Sequence, residues 1–117
     1  MERIKRELKK NKVEVFITED KFDIQYLTGI PEIEGSLLFI FKDNIKLLTN
    51  KIFLDYVSDK GNLDVSEISP EEIKKLIKNY TYAVDPYRIS HISFLKLKEL
   101  NKNIKLLPNF LSKIRAI

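Results

Sequence analysis

The chain has 117 residues, of which 44% are hydrophobic and 32% charged, and its 21 Lys and Arg against 17 Asp and Glu give a formal net charge of +4. This size and balance predict one folded domain and exclude a disordered chain. The absence of Cys excludes disulfides, thiol catalysis and cysteine-bound zinc or iron–sulfur centres, and favours a cytoplasmic protein.

In the first half of the chain, the pattern of apolar residues predicts a helix, a strand, a helix and a hairpin. Ile4 and Leu8 lie on one face of a short helix, and Gly29 followed by Pro31 is typical of a helix end. The apolar run Leu37–Phe41 is typical of a strand that is covered on both faces. In chain order, the predicted elements are a helix over residues 2–11, a strand over 13–17, a helix that begins at 19–20, a loop over 31–35, and a hairpin with strands 37–41 and 45–48 around a turn at 42–44.

In the second half, helices and strands alternate. Ser69 can cap a helix, and Pro70 suits its first position. The predicted elements are a helix over 51–58 that ends by Gly61-Asn62, an edge strand over 63–68, a helix from residue 70, a strand over 81–84, a helix that is capped by Ser90 and carries Ile92, Leu95 and Leu100, a strand over 104–107, and a helix over 110–117. This alternation predicts an α/β domain with a mixed β-sheet and helices on both faces.

The last predicted helix carries an apolar stripe formed by Leu111, Ile114 and Ile117. Little sequence remains to cover this stripe. We therefore expect residues 1–107 to form the domain, and residues 108–117 to begin a helix that connects it to a further domain. The alternative is a terminal helix that docks on the sheet of its own domain.

Candidate catalytic groups are few. Within the predicted strands 13–17, 37–41, 45–48 and 81–84 the one acid is Glu14. His91 falls in the first turn of a helix without an obvious partner, which favours a structural role. The Asp residues expected at caps or turns are Asp20, Asp23, Asp43, Asp55 and Asp85. The tyrosines stand at apolar positions and are expected to pack in or near the core: Tyr26, Tyr56, Tyr80, Tyr82 and Tyr87. We expect a domain that is not catalytic by itself and holds no metal.

One basic run lies near the start of the chain. It comprises Arg3, Lys5, Arg6, Lys9, Lys10 and Lys12, and is expected to form the solvated face of a helix. Two alternative functions remain open on these grounds. The basic run can bind nucleic acid, and the predicted sheet is related to that of ribonuclease-H-like nucleases, although the shortage of strand carboxylates speaks against nuclease activity.

The segment Asp23–Ile30 reads Asp-Ile-Gln-Tyr-Leu-Thr-Gly-Ile. It resembles the signature Asn-Ile-x-Tyr-Leu-Thr-Gly-Phe of the creatinase/prolidase N-terminal domain, with Tyr26, Leu27, Thr28 and Gly29 as the matching core. The order of the elements around it is similar, and Ser112–Ile117 is similar to the Arg-containing end of the family's connecting helix. The resemblance covers essentially the whole chain and implies a mixed sheet with a ribonuclease-H-like motif.

This resemblance implies the non-catalytic N-terminal domain of a prolidase-like Xaa-Pro dipeptidase, or of an Xaa-Pro aminopeptidase. Two divalent metals, Mn or Co, would belong to a C-terminal catalytic domain that this chain does not contain. The resemblance further implies a homodimer and makes nucleic acid the less favoured partner. No membrane partner is expected, because no stretch approaches the roughly 18 apolar residues of a membrane span. The loop after the signature, with Ile30, Glu32 and Glu34, is the candidate segment for reaching the neighbour's active site and the amino terminus of a dipeptide.

Overall fold

The computed structural model describes residues 1–31, 33–58 and 63–115. Its elements follow the predicted order with bounds close to those expected, whereas the predicted helix end at Gly61-Asn62 lies outside the described residues. In chain order, the elements are α1 (Glu2–Lys10), β1 (Val15–Thr18), α2 (Lys21–Thr28), β2 (Leu37–Phe41), β3 (Ile45–Thr49), α3 (Lys51–Ser58), β4 (Asp64–Glu67), α4 (Pro70–Ile77), β5 (Tyr82–Val84), α5 (His91–Leu100), β6 (Ile104–Leu106) and α6 (Phe110–Arg115).

The strands of the described residues form one mixed, six-stranded sheet in the order β4-β3-β2-β1-β5-β6. The central strand β1 pairs antiparallel with β2 and parallel with β5, so that Phe16 faces Ile40 on one side and Ala83 on the other. The outer pairs β3–β4 and β5–β6 are parallel, and β2–β3 is the predicted hairpin. Because β1 and β5 run in the same direction, the residues that follow Thr18 and Val84 meet at one edge of the sheet.

Both faces of the sheet are buried by helices, which confirms the predicted fold class. Alternate strand residues point to opposite faces. One core joins Phe16, Leu38, Ile40, Leu47 and Ala83 to buried residues of α1, α2, α3 and α6. The other core contains Val15, Ile17, Phe39, Leu48 and Tyr82, covered by Ile77 of α4 and Leu97 of α5.

Local side-chain chemistry explains where the helices begin and end. The Oγ of Ser69 accepts a hydrogen bond from the Glu72 amide at 3.1 Å, and Ser90 caps α5 in the same way. At the end of α2, Gly29 has φ +77° and donates its amide to the Gln25 carbonyl at 2.7 Å. This left-handed conformation is strained for residues with a Cβ, which explains the glycine.

The terminal helix α6 is covered by its own domain. Phe110 and Leu111 are 5% and 4% exposed, and the Phe110 ring stacks on Phe16 with 4.6 Å between ring centroids. Ile114 packs against the same core. The expectation that little covers the apolar stripe is therefore wrong for Leu111 and Ile114, because α1 lies beside α6 and completes the core; Ile117 lies outside the described residues.

Two apolar side chains of α5 face solvent instead of the sheet. Ile92 and Leu95 are 66% and 49% exposed, whereas Leu97 is buried and Phe94 packs against the same core as Leu97. The side of α5 that contains Leu97 therefore packs on the sheet, and the side that contains Ile92 and Leu95 faces solvent. Its two ends fix that face, since Ser90 and Asn101 are both tied to neighbouring segments.

The expectation that the tyrosines pack in or near the core holds for Tyr82, which is fully buried and donates its hydroxyl to the Asn101 carbonyl at 2.6 Å. Burial raises the pKa of Tyr82 to about 12. The expectation is wrong for Tyr26 and Tyr87, which are 62% and 75% exposed. Both lie on outer surfaces, Tyr26 on the solvent side of α2 and Tyr87 in the turn after β5.

Candidate functional site

Acidic residues gather where the parallel strands β1 and β5 end. Asp20 follows β1 and caps α2 by accepting the Phe22 amide at 2.8 Å. Asp85 follows β5 and accepts the Tyr87 amide at 2.9 Å, which forms the turn toward α5. The carboxyl ends of parallel strands are a frequent place for ligand sites in α/β domains.

Arg88 lies at the centre of these acids. Its Nη1 is 3.2 Å from Asp20 Oδ2, its Nε is 3.5 Å from Asp85 Oδ2, and its Nη2 donates to the Oγ of Ser112 in α6. Its Nη1 is also 3.8 Å from Asp23 Oδ1. One guanidinium therefore joins the end of β1, the end of β5 and the terminal helix.

Asp23 connects this group to a second arginine. It lies in the first turn of α2, is buried, and accepts a hydrogen bond from the Thr18 hydroxyl at 3.0 Å. Among the described residues, none donates a hydrogen bond to its Oδ1, which is held by an ion pair with Arg115 Nη2 at 3.0 Å. Burial raises the pKa of Asp23. We call the set Asp20, Asp23, Asp85, Arg88 and Arg115 the arginine cluster.

The two segments that carry the family resemblance meet in this cluster. Arg115, near the end of the chain, pairs with Asp23 and lies over the Tyr26 ring, 5.1 Å from its centroid. The remainder of the signature forms the end of α2. The Thr28 hydroxyl donates to the Ile24 carbonyl at 2.6 Å, Leu27 packs against the core, and Gly29 closes the helix. The signature thus supports the helix end and the docking of α6.

The loop after the signature borders a groove of about 280 Å³, which we call the loop groove. The charged residues along it are Glu19, Asp20, Lys21, Glu34 and Arg88. The Glu19 carboxylate is already engaged, because it accepts the Ser90 amide at 2.7 Å and the Ser93 hydroxyl at 2.6 Å. Glu34 is exposed, and within residues 1–31, 33–58 and 63–115 its carboxylate has no hydrogen bond or ion pair.

The three residues expected to contact substrate lie in different environments. The side chain of Ile30 is 3% exposed and belongs to the core. Glu32 lies outside the described residues. Glu34 faces the loop groove, and its carbonyl is held by Ser36 and Asn50, each at 3.3 Å. Ile30 therefore anchors the loop in the core, and the exposed carboxylate of Glu34 faces the loop groove.

Sequence reasoning missed Arg88 and Glu19 as members of this region. Arginine occurs at only four positions of the chain, which are Arg3, Arg6, Arg88 and Arg115. Because Arg is favoured over Lys where a cation must contact several carboxylates, this scarcity is a signal that could have singled out Arg88 and Arg115. Glu19 carries no comparable signal.

Within the described residues there is no group of three or more His, Cys, Asp or Glu side chains arranged to hold a metal ion. His91 is exposed in the first turn of α5, and Glu14 accepts a hydrogen bond from the Thr81 amide at 3.0 Å. In the same part of the chain, no helix is long and apolar enough to cross a membrane.

Comparison with known proteins identifies the family. A sequence model of the creatinase/prolidase N-terminal domain matches residues 1–117. No curated protein sequence matches the chain. Among solved structures, an Xaa-Pro dipeptidase from Bacillus anthracis is 13% identical with a TM-score of 0.85, covering 99% of this chain and 35% of that chain.

Two solved structures of similar length have the same fold. The N-terminal domain of the cytoplasmic peptidase PepQ from Mycobacterium tuberculosis is 13% identical with a TM-score of 0.82, covering 97% of this chain and 95% of that chain. The creatinase/prolidase N-terminal domain of an X-Pro dipeptidase from Streptococcus pyogenes is 19% identical with a TM-score of 0.78, covering 98% and 95%. The chain thus spans about a third of the Bacillus anthracis dipeptidase and nearly all of these separate domains. Since the family match extends over every residue, the chain belongs to the creatinase/prolidase N-terminal domain family.

Proposed function

We propose that the chain is the non-catalytic N-terminal domain of a prolidase-like Xaa-Pro dipeptidase. The observation that carries this proposal is the family match over residues 1–117, and the fold shared with the Bacillus anthracis dipeptidase supports it. In this proposal a C-terminal domain would bind two divalent metals, Mn or Co, and would hydrolyse the peptide bond before proline with their help. The present chain supplies a rigid support, with residues 108–117 leading into the catalytic domain.

The arginine cluster gives this support a physical basis. Arg115 in α6 is tied to Asp23, and Ser112 in the same helix accepts a hydrogen bond from Arg88. These contacts fix the direction of α6 relative to α2 and the end of β5. A domain attached after α6 would be held in one orientation relative to the loop groove.

The loop groove is the part of the surface that we propose to shape an active site. Its loop carries Glu32 and Glu34, and Glu34 is exposed without a partner among the described residues. A carboxylate in this position attracts the ammonium group of a dipeptide. We place this contact across a homodimer in the cytoplasm, where the loop of one subunit approaches the active site of the other.

The proposal is tested with the complete reading frame of the gene. We expect it to continue beyond Ile117 into a domain with two Asp, one His and two Glu, and its product to hydrolyse Xaa-Pro dipeptides when Mn or Co is added. Residues 1–117 alone are expected to be inactive in the same assay. A reading frame that stops at Ile117, or metal-dependent peptidase activity of residues 1–117, would overturn the proposal.

The role of the loop is tested separately in the same complete product. Glu34→Gln is expected to raise KM for a dipeptide about fivefold with little change in kcat, because it removes a single exposed charge contact of roughly 1 kcal/mol. Glu99→Gln, on the exposed side of α5, is the matched control and should leave KM unchanged. An unchanged KM in Glu34→Gln would exclude this loop contact and leave the peptidase assignment standing.

A further inference from the structure

A second concave surface lies away from the loop groove, between the first and last helices. It is a groove of about 440 Å³, which we call the α1–α6 groove. Arg3, Arg6 and Glu7 line it from α1, and Lys113 lines it from α6. The volume falls in the range of about 300–1,000 Å³ that is typical of small-molecule sites.

The charged groups of this groove are predominantly basic. Arg6 and Lys113 are exposed, and within the described residues neither side chain has a hydrogen bond or an ion pair. Arg3 adds a third positive charge to the lining, and Glu7 is the acid beside it. The positive side chains that line the groove repel one another. An anion bound between them would offset this repulsion.

Part of the lining of the groove is apolar. Leu107 and Ile114 are only partly buried by the protein, and Pro108 is exposed beside them. A ligand that covers these side chains would remove apolar surface from water, which an inorganic ion cannot do. The lining of the groove therefore combines basic and apolar side chains.

We propose that the α1–α6 groove binds a small organic anion, with a phosphate or carboxylate group between Arg6 and Lys113 and an apolar body on Leu107 and Ile114. The guanidinium of Arg6 can donate two parallel hydrogen bonds to either anionic group. This inference does not use the loop groove, although Lys113 and Ile114 belong to the segment that we propose leads into a catalytic domain. Its test measures binding and not peptidase activity, so the two proposals can fail separately.

The main alternative role for the basic residues of α1 is the binding of nucleic acid. It would use the whole basic side of α1, including Lys9, which is exposed and does not line the groove. A polyanion on this side would contact many phosphates and bind with a steep dependence on salt. The concave shape and the apolar side chains of the lining favour the small ligand.

The test uses the 117-residue chain, since relatives of similar length have been solved as separate domains. Phenyl phosphate, inorganic phosphate and benzyl alcohol are titrated by calorimetry at low salt. Phenyl phosphate is expected to bind more tightly than either of the others, because it alone offers both an anion and an apolar ring. Binding of phenyl phosphate no tighter than that of inorganic phosphate, or no binding at all, would overturn the proposal.

Charge-reversal variants locate the site. Arg6→Glu and Lys113→Glu are each expected to weaken phenyl phosphate binding about tenfold or more. Both side chains are exposed, so the fold should be retained, and circular dichroism verifies this. Lys74→Glu on α4 makes the same change in net charge on the opposite face of the sheet, and should leave the affinity unchanged. A loss of affinity in Lys9→Glu or Lys74→Glu equal to that in Lys113→Glu would show diffuse attraction to a basic surface and overturn the proposed groove.

Discussion

Asp23 is a buried carboxylate on which opposing electrostatic effects act. Loss of hydration on burial is the largest effect and raises its pKa above the ordinary value of 3.8, and the Asp20 carboxylate raises it further. The hydrogen bond from Thr18 and the charges of Arg115 and Arg88 lower it, without cancelling the effect of burial. Relative to the neutral carboxyl group, the ionised carboxylate is therefore less favoured in the folded chain than in the unfolded chain.

For this reason, Asp23→Asn is expected to gain stability relative to the wild type as the pH rises toward neutral. Asn keeps an oxygen that accepts the hydrogen bond from Thr18, and it removes the buried charge. Well below pH 3.8 the carboxyl group is neutral in both states, so the melting temperatures of the two proteins should differ least there. As the pH rises above 3.8, the unfolded wild-type chain loses this proton before the folded chain does, and the wild type loses stability relative to the variant until the folded carboxyl has ionised.

Thermal unfolding followed by circular dichroism between about pH 3 and pH 8 measures this difference. Asp43→Asn is the control, because the Asp43 side chain is 79% exposed and its ion pair with Lys5, at 3.6 Å, contributes only about 0–1 kcal/mol. A difference between Asp23→Asn and the wild type that does not vary with pH, or that shifts in favour of the wild type as the pH rises, would contradict the raised pKa.

The members of the arginine cluster could be predicted only in part. The signature segment drew attention to the region of Asp23, because its letters are contiguous in the sequence. The contacts of Arg88 with Asp20 and of Arg115 with Asp23 join residues that are far apart along the chain. Such pairs depend on how the parallel strands are placed in the sheet, which no local pattern specifies.

At the scale of the elements, prediction succeeded where boundaries depend on neighbouring residues. Ser69 and Ser90 cap α4 and α5 as expected, and Gly29 ends α2 in the left-handed conformation. The sequence did not indicate which side of α5 is buried, and in the structure Ile92 and Leu95 face solvent. Which face of a helix is buried depends on its position over the sheet, and α5 carries apolar residues on more than one side.

The terminal helix shows the same limit more clearly. Its apolar stripe is visible in the sequence, but the surface that covers it comes from the opposite end of the chain, where α1 contributes Ile4 and Leu8 to the same core. The stripe alone therefore could not distinguish a connecting helix from a docked one. In the structure, α6 is docked, and this arrangement is compatible with a chain that continues from it.

For the molecule as a whole, this docking bears on where the domain ends. The core on one face of the sheet includes Phe110 and Leu111 together with Phe16 from the central strand. The arginine cluster adds polar contacts from the same helix, through Ser112 and Arg115. A domain boundary at residue 107 would cut through this core, so we expect the cooperative folding unit to include α6.

A chain truncated after Leu107 should therefore be much less stable than one truncated after Arg115, the last residue that the structure describes. The shorter chain loses the burial of Phe110 and Leu111, about 1.5–3 kcal/mol each, from a total stability of about 5–15 kcal/mol for a typical domain. Urea unfolding of the two chains, followed by circular dichroism, measures the difference. Phe110→Ala in the longer chain should account for much of the loss, since Phe110 stacks directly on Phe16. Equal urea midpoints for both truncated chains would place α6 outside the folding unit. A lower midpoint for the chain that lacks residues 108–115 would mean that the helix leading out of the domain also stabilises its fold.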